Sequence, residues 1–419
     1  MELEILFEDI DLDGATIGYF KDKKVKCYGV LLGEKAKVKV TKKNKDFLQA
    51  IPIEILEKSP YRIKELEDHF LSCSPLQIST YQYQLELKQK ILHKIFGKDL
   101  ELVPAKETLG YRTKMEFSFF IDDQINLGLF KRGTYKAKYK LPNGCILASE
   151  KINTFAINII KNLNKKNIDP KILKGLIIRE SKSEDQLLAC LFIKDRNITI
   201  NSSFYDEFDM EKHGISISYS NPYSPAFTFE QAIEQLGISQ ISQKLKNLTI
   251  LYGIKSFFQN NIPMFELALE DIQKQINGSN IVLELYSGVG SIGLYLSQFV
   301  EKVLGVESNE EAVKFAKKNA ILNQINNFDI INCIAEKFSY DQDFDTIIVD
   351  PPRSGLHPSV IKMILEKLPY KVIYLSCNPI TQKENVRILE SKYNIVFIKG
   401  YDFYPHTTHI ETLVILKRK

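Results

Sequence analysis

Two short segments carry side chains able to do covalent and proton-transfer chemistry. Cys377 lies in Ser376-Cys377-Asn378-Pro379, directly after the apolar run 372–376, and Glu411 lies in His409-Ile410-Glu411-Thr412, at the start of the run 410–416. A thiol can add to an electron-poor carbon and later leave, and a carboxylate can accept a proton from a neighbouring carbon. The chain has six cysteines, at 27, 73, 145, 190, 333 and 377, with no C-x-x-C pair. Most single cysteines are inert buried hydrophobes. Cys377 stands apart because it ends a strand-like run whose neighbours carry ligand-binding motifs. For Glu411 the plain alternative is a salt-bridged surface glutamate.

The first of those motifs is Glu284-Leu285-Tyr286-Ser287-Gly288-Val289-Gly290-Ser291-Ile292-Gly293, where a strand turns into a helix. Glycines there let the backbone bend tightly and approach a ligand closely. Glu307 ends the next strand, nineteen residues after Gly288, where a carboxylate can accept hydrogen bonds from ribose hydroxyls. Gly288-x-Gly290-x-x-Gly293 is formally a dinucleotide fingerprint, so a nicotinamide-linked dehydrogenase has to be weighed. The same loop and acid also suit the adenosine of S-adenosylmethionine. Asp350-Pro351-Pro352-Arg353, at the end of the fourth strand, decides between them. A strand-end Asp-Pro-Pro is typical of methyltransferases acting on nucleic-acid bases and is not expected in a dehydrogenase.

The elements that must position these residues alternate regularly. Strands are expected at 281–285, 302–306, 328–331, 346–349 and 372–376, with helices at 291–299, 310–322 (Asn309 as cap), 359–368 and 383–390. Such alternation predicts an α/β, doubly wound, Rossmann-like sheet. Two strands in succession, 395–399 and 410–416, predict an antiparallel hairpin at one edge. Upstream, 1–57 reads as a small β-barrel, with strands at 25–30, 38–40 and 49–55. Residues 58–250 read as an α+β domain. It has a helix at 81–95 with the stripe Leu85, Ile91, Leu92 and Ile95, and strand pairs 116–120 with 125–130 and 176–179 with 187–193. The third domain is expected at 251–419.

The 419 residues carry 44% apolar side chains and a net charge of only +4, which excludes a disordered chain and gives no global nucleic-acid signature. Charge is local instead. Ten lysines lie between Lys21 and Asp46, alternating with apolar residues so that they face outward, and 131–140 holds five positive charges and two tyrosines. A solvated face and an RNA-binding face are both consistent with the barrel. The acidic start Met1-Glu2-Leu3-Glu4 is no signal peptide, and no apolar run reaches the roughly 18 residues of a membrane span. A cytoplasmic protein with reduced thiols is expected, with monomer as a plausible state.

Taken together these segments resemble the RNA uracil-5-methyltransferase family (the TrmA/RumA type) over nearly the whole chain. The likeness runs through Tyr111-Arg112-Thr113-Lys114-Met115-Glu116-Phe117, Gly128-Leu129-Phe130, Ser256-Phe257-Phe258-Gln259-Asn260, the glycine loop, Gly305-Val306-Glu307 and Asp350 to Leu356. It ends with Ser376-Cys377-Asn378-Pro379 and Tyr404 to Glu411. The resemblance implies that Gln259, Tyr286, Glu307 and Asp350, with Gly288 in the loop, contact S-adenosylmethionine. It implies that Cys377 is the nucleophile and Glu411 the proton acceptor. The barrel then resembles a TRAM domain that grips RNA, and Arg112 and Lys114 become candidate RNA contacts.

The chemistry fits that implication. Uracil carbon 5 is too weak a nucleophile by itself; a thiolate adding at carbon 6 gives it carbanion character, and a separate base must then remove the carbon 5 proton. The expected target is a uridine of 23S ribosomal RNA, because barrel-bearing members more often resemble ribosomal enzymes; position 54 of transfer RNA is the alternative. A cytosine-5 methyltransferase and a non-catalytic RNA-binding or folding factor are the other classes weighed. Three departures are noted. Barrel-bearing members usually hold a four-iron cluster on cysteines spaced C-x5-C-x2-C plus one more, but here the first two positions are Lys64 and Phe70. Only Cys73 and Cys145 are left, so no iron–sulfur cluster and no metal are expected. Ser287 replaces a frequent Cys, and Ile334 stands where a polar cofactor contact is common, so no contact is assigned there.

Overall fold

The computed structural model describes all residues except 135, 198–201 and 341. Tyr135, one of the two tyrosines of the basic stretch 131–140, is therefore outside the described residues.

The chain begins with β1 (Glu2–Ile10), β2 (Thr16–Phe20), β3 (Lys23–Cys27), β4 (Lys35–Lys43) and β5 (Phe47–Glu57), closed into a barrel in the order β1-β2-β3-β5-β4. Closure depends on strict alternation: Leu3, Ile5 and Phe7 from β1 meet Val25, Cys27, Ala36 and Val38 inside. The intervening Lys35, Lys37 and Lys39 face outward, as the spacing predicts. Several lysines are already paired, Lys37 with Glu2 at 2.9 Å and Lys26 with both Asp11 and Asp13. The expected strand 25–30 stops at Cys27, because Gly29 takes a positive φ of 85° and turns the chain. Glu34, fully buried, accepts two hydrogen bonds from Arg62 at 2.6 and 2.7 Å and so ties the barrel to the next segment.

That segment holds α1 (Phe70–Cys73), α2 (Tyr81–Phe96) and β6 (Leu102–Val103). The buried face of α2 is Tyr83, Gln84, Leu87, Lys88, Ile91, Leu92 and Phe96. The expected stripe is thus shifted: Leu85 and Ile95 are half-buried at its margin, and two polar side chains take central places. Among the described residues a seven-stranded sheet comes next, built from β7 (Lys114–Ile121), β8 (Ile125–Phe130), β9 (Lys138–Lys140), β10 (Leu173–Ser181), β11 (Gln186–Ile193), β12 (His213–Tyr219) and β13 (Gln231–Gly237). Helix α3 (Glu150–Lys165), capped by Ser149, packs Ile152, Phe155 and Ile159 on one face of it.

The remaining elements are β14 (Ile241–Leu245), β15 (Leu248–Tyr252), α4 (Ile262–Ile276), β16 (Ile281–Leu285), α5 (Ser291–Leu296), β17 (Lys302–Glu307), α6 (Glu310–Leu322) and β18 (Phe328–Asn332). After them come β19 (Thr346–Val349), α7 (Pro358–Lys367), β20 (Lys371–Ser376), α8 (Pro379–Leu389), β21 (Tyr393–Tyr401) and β22 (Glu411–Arg418). Among the described residues the sheet order is β18-β17-β16-β19-β20-β22-β21-β6. Alternate residues of each strand feed two cores. Val282, Ile348, Ile373 and Leu413 face α4, α5 and α6, while Leu283, Ile347, Val372 and Val414 face α2, α7 and α8.

This is the doubly wound, Rossmann-like sheet that the alternation predicts, in the class I methyltransferase form that the resemblance implies. Three details differ. The hairpin of β21 and β22 is antiparallel but not outermost, since the two-residue β6 pairs with β21 in parallel. Helix α8 begins at Pro379, not 383, because Asn378 caps it and proline is well suited to the first helical position. Helix α5 ends at Leu296, short of the expected 299. Packing also crosses the expected boundaries at 58 and 251: Ile10 and Leu31 share a core with Tyr83 and Leu87 of α2, α2 lies against α8, β6 joins the C-terminal sheet, and β14 and β15 share the core of α4. Among the described residues no helix is long and apolar enough to cross a membrane.

Candidate active site

In open parallel sheets ligands lie beyond the carboxyl ends of the strands, at the point where strand order reverses. Here that point is between β16, which continues outward to β17, and β19, which continues the other way to β20. A cavity of about 660 Å³ opens there, within the usual range of small-molecule sites. It brings together all seven residues expected from the sequence: Gln259, Tyr286, Gly288, Glu307, Asp350, Cys377 and Glu411.

Four strand ends deliver five of them, Glu411 opens β22, and Gln259 comes from the loop before α4. Beyond β16, Tyr286 takes a left-handed φ of 63° and Gly288 one of 57°. A non-glycine residue in that region is strained, by about 1–3 kcal/mol, and such strain concentrates at ligand sites. The turn lets the Gly288 N–H donate to Glu307 Oε2 at 2.9 Å, while Glu307 Oε1 accepts from the Asn309 N–H at 2.7 Å. Glu307 is therefore held by backbone donors before any ligand arrives. Asp350, beyond β19, accepts from the Gln259 amide at 3.2 Å, and burial pushes its carboxyl up to about 7. Glu284, behind the loop, is pushed up to about 8 by burial and accepts a 2.5 Å hydrogen bond from Ser287.

Cys377 and Glu411 are juxtaposed by register. Ser376 of β20 pairs with Thr412 of β22 in the antiparallel ladder, so Cys377 leaves the sheet next to where Glu411 enters it. Burial, reinforced by Glu411 and Asp350, pushes the Cys377 thiol up to about 12; Arg353 opposes this. Glu411 is 1% exposed, and neither carboxylate oxygen has a hydrogen-bond partner among the described residues. Burial and Asp350 raise its pKa well above the ordinary range. A desolvated, unpartnered carboxylate of this kind is a strong base for a proton delivered into the pocket.

Residues given no role from the sequence complete the site. Arg353 donates to His409 Nδ1 at 3.0 Å, which places the ring proton of neutral His409 on Nε2. The Arg353 carbonyl accepts from Asn378 at 2.8 Å and Thr381 at 3.2 Å, locking the Asp-Pro-Pro-Arg loop to the Cys377 loop. Tyr404 lines the same cavity and is fixed from α2: Lys88, wholly buried, donates to the Tyr404 carbonyl at 3.0 Å and pairs with Asp402. Gln84 holds both the His406 N–H and its ring. A polar residue on the apolar face of a helix was the available signal for Gln84 and Lys88.

Cys377 also lines a second cavity of about 360 Å³, on the side of the N-terminal barrel. Tyr28, Arg132, Asn378 and Thr407 to Ile410 border it. The basic stretch 131–140 is engaged internally to a large extent. Arg132 stacks 4.0 Å from the Tyr28 ring and donates to the Leu71 carbonyl, and Lys140 pairs with Asp122 at 2.8 Å. Arg112 and Lys114 are half-buried, and Lys114 is paired with Glu116 at 2.6 Å. Ile334 is exposed, while its neighbours Cys333, Ala335 and Glu336 line the larger cavity.

The pattern of the tRNA (uracil-5-)-methyltransferase family matches residues 235–419. The chain is 30% identical to a tRNA (uracil(54)-C(5))-methyltransferase of Pyrococcus abyssi, with 86% of this chain and 88% of that protein aligned. It is 28% identical to an uncharacterized RNA methyltransferase of Caldanaerobacter subterraneus over 99% of this chain and 98% of that one. The crystal structure of the Pyrococcus abyssi tRNA (uracil-54, C5)-methyltransferase in complex with S-adenosyl-L-homocysteine superposes with a TM-score of 0.80 at 26% identity, covering 99% of this chain and 100% of that one. The chain belongs to the tRNA (uracil-5-)-methyltransferase family and is an RNA uracil-5-methyltransferase.

Proposed function

We propose that Cys377 is the nucleophile and Glu411 the proton acceptor of this enzyme, acting on one uridine of RNA. The observation that carries the reading is their convergence on one cavity with Gln259, Tyr286, Gly288, Glu307 and Asp350. These five residues would hold S-adenosylmethionine, which supplies the methyl group for carbon 5. Glu307 Oε2, which among the described residues accepts only the Gly288 N–H, keeps a lone pair for a ribose hydroxyl, and the open space over Gly288 leaves room for a ligand. Residues Lys64 and Phe70 do not fit the four-iron cluster, so no role is given to one.

Cys377 gives up its proton to solvent and its sulfur bonds to uracil carbon 6, moving the ring electrons toward carbon 5 and oxygen 4. After carbon 5 has been alkylated, Glu411 takes its proton. The electron pair left behind re-forms the carbon 5–carbon 6 double bond and expels the sulfur, which regains a proton. Arg353 favours the anionic forms of both Cys377 and Glu411. Because both faces of the ring edge must be reached, the base leaves its stack to enter through the barrel-side cavity. The basic face of the barrel, as a TRAM-like module spanning about residues 1–57, then tracks the phosphates, with residues 58–250 as a second RNA-contacting domain.

Two targets are to be separated. A uridine of 23S ribosomal RNA is the reading drawn from the barrel. Uridine 54 of transfer RNA is supported by end-to-end alignment with a transfer-RNA enzyme, whose chain is covered through the barrel region. Incubation with labelled S-adenosylmethionine and either RNA, then digestion, should yield 5-methyluridine from one of them. Recovery of 5-methylcytidine, or of no methylated base, refutes the reading.

A further inference from the structure

Glu67, His69, Cys73 and Cys145 converge so that one donor atom from each lies within 4.8 Å of all the others. Three come from the turn around α1, and the fourth comes from the loop before α3. His69 Nδ1 is 3.2 Å from Cys73 Sγ, and Glu67 Oε2 is 4.0 Å from the same sulfur. A tetrahedral zinc site with ordinary bond lengths has donor-to-donor edges of about 3.3–3.8 Å, so the widest pair, within 4.8 Å, has to close by up to about 1 Å when an ion binds. Both sulfurs are free thiols, and His69 and Cys145 are buried.

The surroundings are those of a supported ligand set. The other Glu67 oxygen accepts the Ile146 N–H at 2.7 Å, leaving Oε2 available. Gln77 Oε1 accepts from the Glu67 N–H at 2.9 Å and so fixes the turn that carries this carboxylate. Asn153 clamps Cys145 through its N–H and its carbonyl, at 3.0 and 2.9 Å. That clamp needs Gly144, whose added Cβ would stand 2.0 Å from Asn153 Oδ1. Hydrogen bonds that orient ligands in this way are typical of metal sites.

We propose that Glu67, His69, Cys73 and Cys145 bind a single tetrahedral zinc-class cation. Two thiolates, one carboxylate and a neutral imidazole take the divalent ion, and the thiol protons pass to solvent. This donor set differs from the all-cysteine shell of an iron–sulfur cluster, and it amends the expectation of no metal: the fold supplies two donors that cysteine spacing does not reveal. The ion joins the segment after the barrel to the loop before α3, and Cys73 itself borders the barrel-side cavity of Cys377. Its part is to hold that wall of the cavity in place.

The test uses the full chain, reduced and stripped with a chelator, then titrated with cobalt(II). One equivalent should bind, with the visible bands of tetrahedral cobalt and an ultraviolet thiolate charge-transfer band. Protein made in zinc-supplemented medium should contain one zinc per chain. Cys73→Ser/Cys145→Ser should lose the charge-transfer band, and His69→Gln should weaken cobalt binding at least tenfold. The wild-type titration decides even if the double variant misfolds. The proposal is overturned if reduced wild-type protein gives no saturable cobalt spectrum, if the spectrum persists in a folded double cysteine variant, or if iron and sulfide are recovered instead.

Discussion

Lys88 and Asp402 form an ion pair with Nζ and Oδ1 2.5 Å apart and both side chains wholly out of solvent. The pair is 314 residues apart in sequence and joins α2 to the segment that carries Tyr404, His406 and His409. Tyr81 adds a 2.8 Å hydrogen bond to the same carboxylate. A charge cannot stay buried here without its partner.

Lys88→Met should therefore destabilise the protein by about 3–5 kcal/mol, the usual consequence of stranding a buried charge. Lys88→Met/Asp402→Leu should recover a large part of that loss. Urea denaturation of the two variants and of wild type checks this. Equal stability of Lys88→Met and wild type would mean the pair is not formed.

Cys377→Ala should abolish methyl transfer and any covalent RNA adduct. Glu411→Gln should still form the adduct but release it slowly, since the carbon 5 proton has no acceptor. Denaturing gel electrophoresis with labelled RNA reads both outcomes. Full activity in either variant would remove that residue from the mechanism.

Arg353 lowers the pKa of Cys377, which burial pushes up to about 12. Arg353→Gln should shift the rising limb of the kcat/KM profile to higher pH and reduce activity near neutrality by at least tenfold. The measurement is the pH–rate profile of the variant against wild type. An unshifted limb would show that Arg353 does not act on the thiol.

Glu284 has its folded pKa raised by burial from 4.5 to about 8. A raised acid favours the folded state fully below its unfolded pKa, and that contribution is lost as pH rises through the folded pKa. Between pH 4.5 and about 8 the unfolded chain sheds this proton while the folded one keeps it. The stability of Glu284→Gln relative to wild type should thus increase over that window and level off above it. Thermal melts of both proteins across the range test this; a constant difference in Tm would contradict it.

Much of the site was legible because its residues lie at strand ends. Apolar runs locate the strands, and the residues just after each run must fall at the carboxyl edge of the sheet. Tyr286, Gly288, Glu307, Asp350 and Cys377 could all be placed in this way, and Glu411 by the hairpin. The capping of α6 by Asn309 was equally local. The start of α8 was not, because Pro379 reads as a break unless its place at the first helical position is seen.

The sequence by itself determined the alternating sheet, the glycine loop with its acidic partner, and a thiol at the end of a strand. These are features of local order, set by period and spacing. The tertiary structure decided which polar side chains meet across long stretches of chain. Lys88 finds Asp402, Gln84 finds His406, and Glu67 and His69 join Cys73 and Cys145. No periodicity encodes such meetings, because each depends on how separate elements pack, and burial then makes the meeting obligatory for the polar groups involved.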